Sequence, residues 1–550
     1  MVRQKWMRAF FIPIILFGVL HCKDGSKEPI QDINKNQNLI KAEYGDVLID
    51  SSIGDASNLI PMLASDSASH SISGLIFNGL VKYDKKLNIV GDLAESWDVS
   101  EDGLTITFHL KKGIKWQDGV EFTANDVMFG YKTIIDPNTR TAYAGDYLEV
   151  KEANIIDKYA FRVRYNKPFA PALASWGSSV ILPEHLLKGQ DINTSQLSRH
   201  PIGIGPYRFK TWSTGEKIEL VSNHDYFEGR PYIDGYVFRI IPDPATTFLE
   251  LKAEGIDMMG LTPLQFKRQT DTDEIKRNFQ KYKYLTFGYT YIGYNLTNTT
   301  FQDRRVRQAI SYAIDKQEII DGVLLGLGKV ATGPYKPGTW YYNPNIRRYP
   351  YNPSKAKRLL KEAGWIDTDN DGILDKEGIP FRFTIITNHG NEQRRQCGEV
   401  IQHRLKKVGI EVKLRVIEWA AFINDFIDKR NFEAVILGWS TGPEPDLYDV
   451  WHSSKTGFKE LNFISYKNEE VDELILKGRH TFDKEHRKRA YFKIQEILAE
   501  DQPYTFLYVP YALPIIHKRF KGVEPAPIGL YHNFIKWYVP KAEQKYRMQQ

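Results

Sequence analysis

The stretch RFTIITNHGNEQRRQCGEVIQHRLKKVGIEVKLRVIEW (382–419) restricts the fold more than any other part of the chain. It reads as a strand, a helix and a second strand. A helix-long connection between two strands is the mark of parallel pairing, because a tight turn can only join antiparallel neighbours. A parallel pair needs helices packed on its faces, so an α/β architecture follows. Other segments support it. GDVLIDSS (45–52) reads as a strand, and SHSISGLIFNGLVKYD (69–84) as a helix followed by a strand. LTITFHL (104–110) alternates as a half-buried strand, and Thr123 is placed to cap a helix over ANDVMFGYKTII (124–135). YAFRVRYNKP (159–168) is a strand stopped by Pro168, and residues 202–223 read as a hairpin. Residues 236–260 read strand, helix, strand; 305–326 read as a helix pair; and 504–518 return to strand. Alternating α/β units beside antiparallel parts suggest α/β lobes with a cleft between them.

The 550 residues are enough for two or three domains. A formal charge of +6 is small for that length, and no Arg/Lys run interleaved with aromatics is present, so nucleic acid is not an expected partner. The chain opens MVRQKWMRAFFIPIILFGVLHC. A basic start and about a dozen apolar residues are too short to span a bilayer and right for a signal-peptide core. A cysteine closing such a segment resembles a bacterial lipoprotein signal, with Cys22 as the lipidated first residue; His21 stands where a small residue is usual, and an ordinary secretory signal is the alternative. Residues 23–43 are polar and read as a flexible tether. The only other cysteine, Cys397, lies in a helical pattern and is expected to be a buried, inert thiol.

AVILGWSTGPEPDLYDVWHSS (434–454) poses the functional question. Gly438 to Gly442 spell G-x-S-x-G behind a strand, the pattern of a hydrolase nucleophile elbow. An elbow needs a helix directly after the serine. Here Pro443 fits a first helical turn, but Gly442 and Pro445 oppose a helix, Pro445 alone at about 3 kcal/mol. The elbow reading therefore fails, and no catalytic residue is assigned. Ligands of open α/β sheets bind beyond the carboxyl ends of strands. Trp439 then offers an apolar wall, and Ser440, Thr441 and the loop backbone offer hydrogen bonds to an extended ligand.

LAESWDVSEDGLTITFHLKKGIKWQDGVEFTANDVMFGYKTIIDP (93–137) resembles the signature of family 5 extracellular solute-binding proteins, the peptide-binding and related components of bacterial ABC importers. The likeness continues in order through IGIGPYRF, YIGYNLTNTTFQDRRVRQAISYAIDKQEII, LLKEAGW, GIEVKLRVIEWAAF and NFEAVILGWSTGPEPDLYDVWHS, and covers about 45–540. It implies a type II, cluster C-like periplasmic-binding-protein fold, with two α/β lobes, an extra sub-domain and a ligand cleft between the lobes. Lobe I would take 44–75, 195–287 and 507–540, its sub-domain 76–194, and lobe II 288–506, with crossings near Phe287–Tyr291 and Tyr504–Tyr508. It implies a peptide or other small solute as ligand, an ABC permease as partner, a monomer held to the membrane through Cys22, and a place in the periplasmic space or cell envelope.

One departure bears on the ligand. Peptide-binding relatives carry an Asp three residues after this Trp to pair with the peptide's α-ammonium; here Gly442 stands there. Either Glu444 or Asp446 takes over, or the ligand is a non-peptide solute such as a nickel complex, haem, sugar or opine, which other members take. By the same resemblance Trp419 and Trp176 are cleft-wall candidates from opposite lobes, and Asn388 and His389 face the cleft from a strand end. No cofactor is expected, a structural calcium ion in the acidic loop 367–378 being the alternative. In DTDNDGILDKEG (367–378), Asp367, Asp369, Asp371 and Asp375 sit at calcium-loop spacing, but Gly378 replaces the closing bidentate Glu. VLLGLGKVATG lacks the first glycine and the Ser/Thr of a phosphate loop, and the 13 histidines form no zinc pattern.

Overall fold

The computed structural model describes residues 42–177 and 180–547. The signal segment, Cys22 and most of the tether lie outside the described residues. No described helix is long and apolar enough to cross a membrane.

The first lobe is built on a four-stranded sheet in the order Val47–Ser52, Gly235–Ile240, Lys217–Ser222, Tyr207–Ser213. Its first pair is parallel (Val47 against Gly235) and the rest are antiparallel. Alternation in KIELVS puts Ile218 and Leu220 inward, against Leu48, Tyr236 and Phe238 and the aromatic cluster of Phe534 and Trp537. Helix Ser67–Ile76 closes this core through Ile72 and Ile76, and Asp66 caps it by accepting from the Ser69 N–H.

The sub-domain carries a separate antiparallel sheet, in the order Ala94–Val99, Thr105–Leu110, Ala160–Tyr165, Val150–Asp157. Helix Ala124–Ile134 packs on it. Thr123 caps the helix, as the sequence expects, and Asp126 returns a bond to the Thr123 N–H, a cap worth about 1 kcal/mol. Gly130 lies so close to the 180s segment that a Cβ there would fall 1.7 Å from the Val180 carbonyl oxygen.

The second lobe holds a seven-stranded sheet: Tyr284–Leu285, Tyr504–Ala512, Tyr289–Tyr294, Ala434–Trp439, Arg382–Asn388 and Glu411–Ile417 in order, with Gly328–Val330 also paired to Tyr504–Ala512. Arg382–Asn388 and Glu411–Ile417 are parallel over their whole length, joined by helix Glu392–Lys406, as the strand–helix–strand pattern requires. The sheet is mixed, because Ala434–Trp439 is parallel to Arg382–Asn388 and antiparallel to Tyr289–Tyr294. Its buried strand residues (Ile292, Phe383, Ile385, Ile436) pack with Cys397, Ile401 and Leu405 of the crossover helix.

The chain passes between the lobes twice, and the two passages pair with each other: Tyr284 faces Ala512 and Leu285 faces Tyr511. Tyr289–Tyr291 and Tyr504–Tyr508 are ladder-bonded inside the second sheet.

Candidate ligand cleft

A cavity of about 750 Å³ lies between the lobes. Ser65, His70 and Tyr143 face it from the first lobe and its sub-domain; Arg394, Trp419 and Trp439 face it from the second. Its floor is the crossing segment with Thr286, Gly288 and Thr290. Strands Ala434–Trp439 and Arg382–Asn388 are parallel, so both point their carboxyl ends at it, the place where such sheets bind ligands.

Trp439 is the last residue of its strand. Its indole Nε1 donates to the Tyr504 hydroxyl at 3.2 Å and its ring tilts on Phe463 at 5.7 Å. The ring is thus held at a fixed height on the wall. Ser440 and Thr441 are exposed and line the cavity, and the Thr441 hydroxyl donates to the Phe287 carbonyl at 2.6 Å. No helix begins after Ser440; the next is the single turn Tyr448–Trp451, and this removes the nucleophile elbow on its own structural requirement. Trp419 lines the same cavity, stacked on Phe422 and set against Gly54 of the first lobe.

Gly442 is exposed, with nothing near its Cβ position. Glu444 and Asp446 do not take over an ammonium site. Glu444 is ion-paired to Arg487, and Asp446 lies 3.3 Å from Arg479 Nε. Burial pushes the Glu444 carboxyl up to about 7, with Arg487 opposing. The loop backbone is pinned as well: Tyr341 OH donates to the Pro443 carbonyl (3.2 Å) and Tyr335 OH to the Pro445 carbonyl (2.6 Å). Both acids hold the loop's shape, and neither lines the cavity.

Trp176 is a correction. It is fully buried in the sub-domain core, ringed by Phe108, Tyr131, Tyr147 and Phe161, with its Nε1 donating to Tyr165 OH at 3.1 Å. Asn388 is buried and acts through a neighbour: its Oδ1 accepts from Arg394 Nη1 at 2.8 Å. His389 is exposed and lies off the cavity lining. In the acidic loop, Asp367, Asp369 and Asp371 bring carboxylate oxygens within 4.8 Å of one another. Asp375 does not join them; it accepts from Thr368 N (2.9 Å) and Oγ1 (2.7 Å).

The sequence reading passed over Arg394, Tyr143 and Thr290. Arg394 was findable, because it stands in the first turn of the helix that follows a parallel strand. Tyr143 and Thr290 carried no local signal.

A family model described as bacterial extracellular solute-binding proteins, family 5 (middle), matches residues 88–459. The oligopeptide-binding protein AppA of Bacillus subtilis is 36% identical over 550 residues, covering 98% of this chain and 99% of that one. The structure of AppA in complex with a nonapeptide superposes with a TM-score of 0.87 at 35% identity, covering 91% of this chain and all of the other. The heme-binding protein A of Haemophilus influenzae is 30% identical, over 85% of this chain and 88% of its own. NikZ of Campylobacter jejuni, solved with Ni(L-His), superposes at 0.82 with 27% identity, over 90% of this chain and 99% of its own.

Proposed function

The chain belongs to the bacterial extracellular solute-binding proteins, family 5, and on that footing we propose that it captures peptides between its lobes and delivers them to an ABC permease. The observation that carries this reading is the interlobe cavity at the carboxyl ends of two parallel strands, walled by Trp419 and Trp439 and edged by the hydroxyls and backbone of Ser440 and Thr441. Aromatic walls give contact area that tolerates varied side chains. Backbone groups at a strand end match the one feature all peptides share. A full-length likeness to a protein named for oligopeptide binding supports the same ligand class.

In this reading the protein works as an exported monomer, lipidated at Cys22 and tethered by residues 23–43 at the outer face of a membrane. Closure of the lobes over the ligand gives the permease a shape that signals occupancy.

A second reading, a non-peptide solute, is favoured by one observation. Gly442 offers no carboxylate, and Glu444 and Asp446 are already ion-paired, so a peptide ammonium has no partner in this loop. Native mass spectrometry of the protein purified from a peptide-rich host, followed by denaturation, separates the two. A heterogeneous set of short peptides supports the first reading; one non-peptide mass replaces it with the second.

A further inference from the structure

Among the described residues, Arg394 is a charged group of the cleft that the fold leaves without an opposite charge. It stands in the first turn of helix Glu392–Lys406, where Asn391 caps the helix by accepting from the Arg394 N–H at 3.0 Å. The side chain is half-buried and faces the cavity. Nη1 donates to Asn388 Oδ1, which fixes the plane of the fork. The other arm passes beside Gly438, where a Cβ would lie 2.9 Å from Nη2; the bare glycine is what lets the guanidinium reach the cavity wall. Among the described residues no Asp or Glu oxygen comes within 4.0 Å of it. Its neighbours differ: Arg395 pairs with Glu392 and Glu399, and Arg404 with Glu318.

The acids that line the cavity have partners already. Asp66 accepts from Ser57 Oγ, Ser69 N and Ser69 Oγ at 2.5–2.9 Å. Glu460 accepts from Gly457 N (2.7 Å) and Lys455 Nζ (3.3 Å), and Asp428 faces Lys459 at 4.0 Å. A guanidinium taken out of bulk water without a counter-charge is unfavourable. It has five N–H donors in a planar fork, and Asn388 uses one. The open arm has the geometry that takes a carboxylate through two parallel hydrogen bonds.

We propose that Arg394 is the ligand anchor of the cleft and pairs with a carboxylate of the bound peptide. The inference rests on the peptide-capture reading and gives it a charge requirement. An acid on the ligand, in place of its ammonium, is what this cleft holds. The carboxylate comes either from the peptide's C-terminus or from an Asp or Glu side chain, and the two sources are separable.

The test is isothermal titration of the purified protein with three nonapeptides made of Ala, Leu, Gly and Tyr: one with a free C-terminus, the same sequence amidated, and the amidated sequence with a central Glu. Wild type and Arg394→Gln are compared, with thermal unfolding as the check on folding. A charge-assisted pair predicts a preference of about 10- to 100-fold over the neutral amide, lost in Arg394→Gln. If the free-acid peptide shows that preference, the anchor reads the chain end. If the Glu peptide shows it, the anchor reads a side chain. Wild type that binds all three alike overturns the anchor and leaves peptide capture standing. So does an Arg394→Gln protein that weakens all three alike, which would make Arg394 a wall residue. Failure of wild type to bind any of them removes peptide capture and the anchor together. Should Arg394→Gln not fold, Arg394→Lys keeps the charge without the fork. A reduced acid preference is then expected, and an unchanged one overturns the proposal.

Discussion

Asp146→Asn removes one buried ion pair between the sub-domain and the second lobe. Asp146 belongs to the short sub-domain helix Ala144–Tyr147, and its carboxylate is ion-paired with Arg479, the last residue of helix Glu469–Arg479 in the second lobe. Arg479 is fully buried, with its guanidinium 4.2 Å from the Tyr448 ring and 4.8 Å from that of Phe169. Removing one partner of a buried pair costs about 3–5 kcal/mol when the other is left alone. Here Asp446 stays on Arg479 Nε at 3.3 Å, and burial already pushes the Asp146 carboxyl up while Arg479 opposes. The cost therefore falls to that of a charge-assisted hydrogen bond, about 1.5–3 kcal/mol. The pair joins the sub-domain to the second lobe, so on the lobe-closure reading parting the lobes would hydrate both groups and break it. The loss is therefore charged to ligand affinity, about 10- to 100-fold at 1.4 kcal/mol per decade. The assay is titration with a nonapeptide across wild type, Asp146→Asn, Arg479→Met and the double variant, with urea unfolding of each ligand-free protein alongside. A coupling energy of about 1 kcal/mol or more in the cycle is expected. Affinity within about threefold of wild type, or losses that simply add, would refute the reasoning.

Three further outcomes are expected. His70 lines the cavity with Nε2 3.1 Å from Tyr143 OH, and burial holds its pKa below the ordinary 6.5 against the opposing pull of Asp66. The folded protein thus binds fewer protons at this site than the unfolded chain, so the stability His70 contributes is complete above about pH 6.5 and declines as pH falls below it; urea unfolding at about pH 5.5 and 7.5 should show this in wild type and not in His70→Gln, and equal slopes would sink the idea. Gly130→Ala gains about 1 kcal/mol of helix propensity but drives a methyl to 1.7 Å from the Val180 carbonyl oxygen. That overlap costs more than the gain, so urea unfolding should report a net loss, and a stabilised variant would contradict the packing described. Cys397 is fully buried and its thiol is pushed up by burial; iodoacetamide should label it only in denaturant, as peptide mapping would show, and labelling in the native state would refute its burial.

The elements were legible because their signals are local. The strand–helix–strand at 382–419 carries its own period, caps and length, and it folds as read. The loop after Trp439 was legible in the negative, since Pro445 and Gly442 oppose a helix whatever surrounds them. What could not be read was partnership. Glu444 and Asp446 offered themselves as ligand groups because Arg487 and Arg479 stand 43 and 33 positions away along the chain. Trp176 shows the same limit from the apolar side: a tryptophan after a short helix looks alike whether it walls a cleft or fills a core, and four aromatic rings from distant segments decide it. The cleft gathers residues 65–67, 70, 71, 143, 286, 288–290, 394, 419 and 439–441, a set that exists only once the sheets are assembled.

The bond from the Thr441 hydroxyl to the Phe287 carbonyl joins the ligand-facing loop to the segment that crosses between the lobes. Thr286 N is itself bonded to the Pro510 carbonyl at 3.2 Å on the companion strand. Pressure on the loop therefore acts at the pivot, not at the end of a long arm. On the lobe-closure reading, a solute that shifts this loop would change the angle between the lobes directly, and its length would matter less than where it leans. Two solutes of equal affinity would then leave the molecule in different poses, and a downstream reader of shape would treat them as different signals.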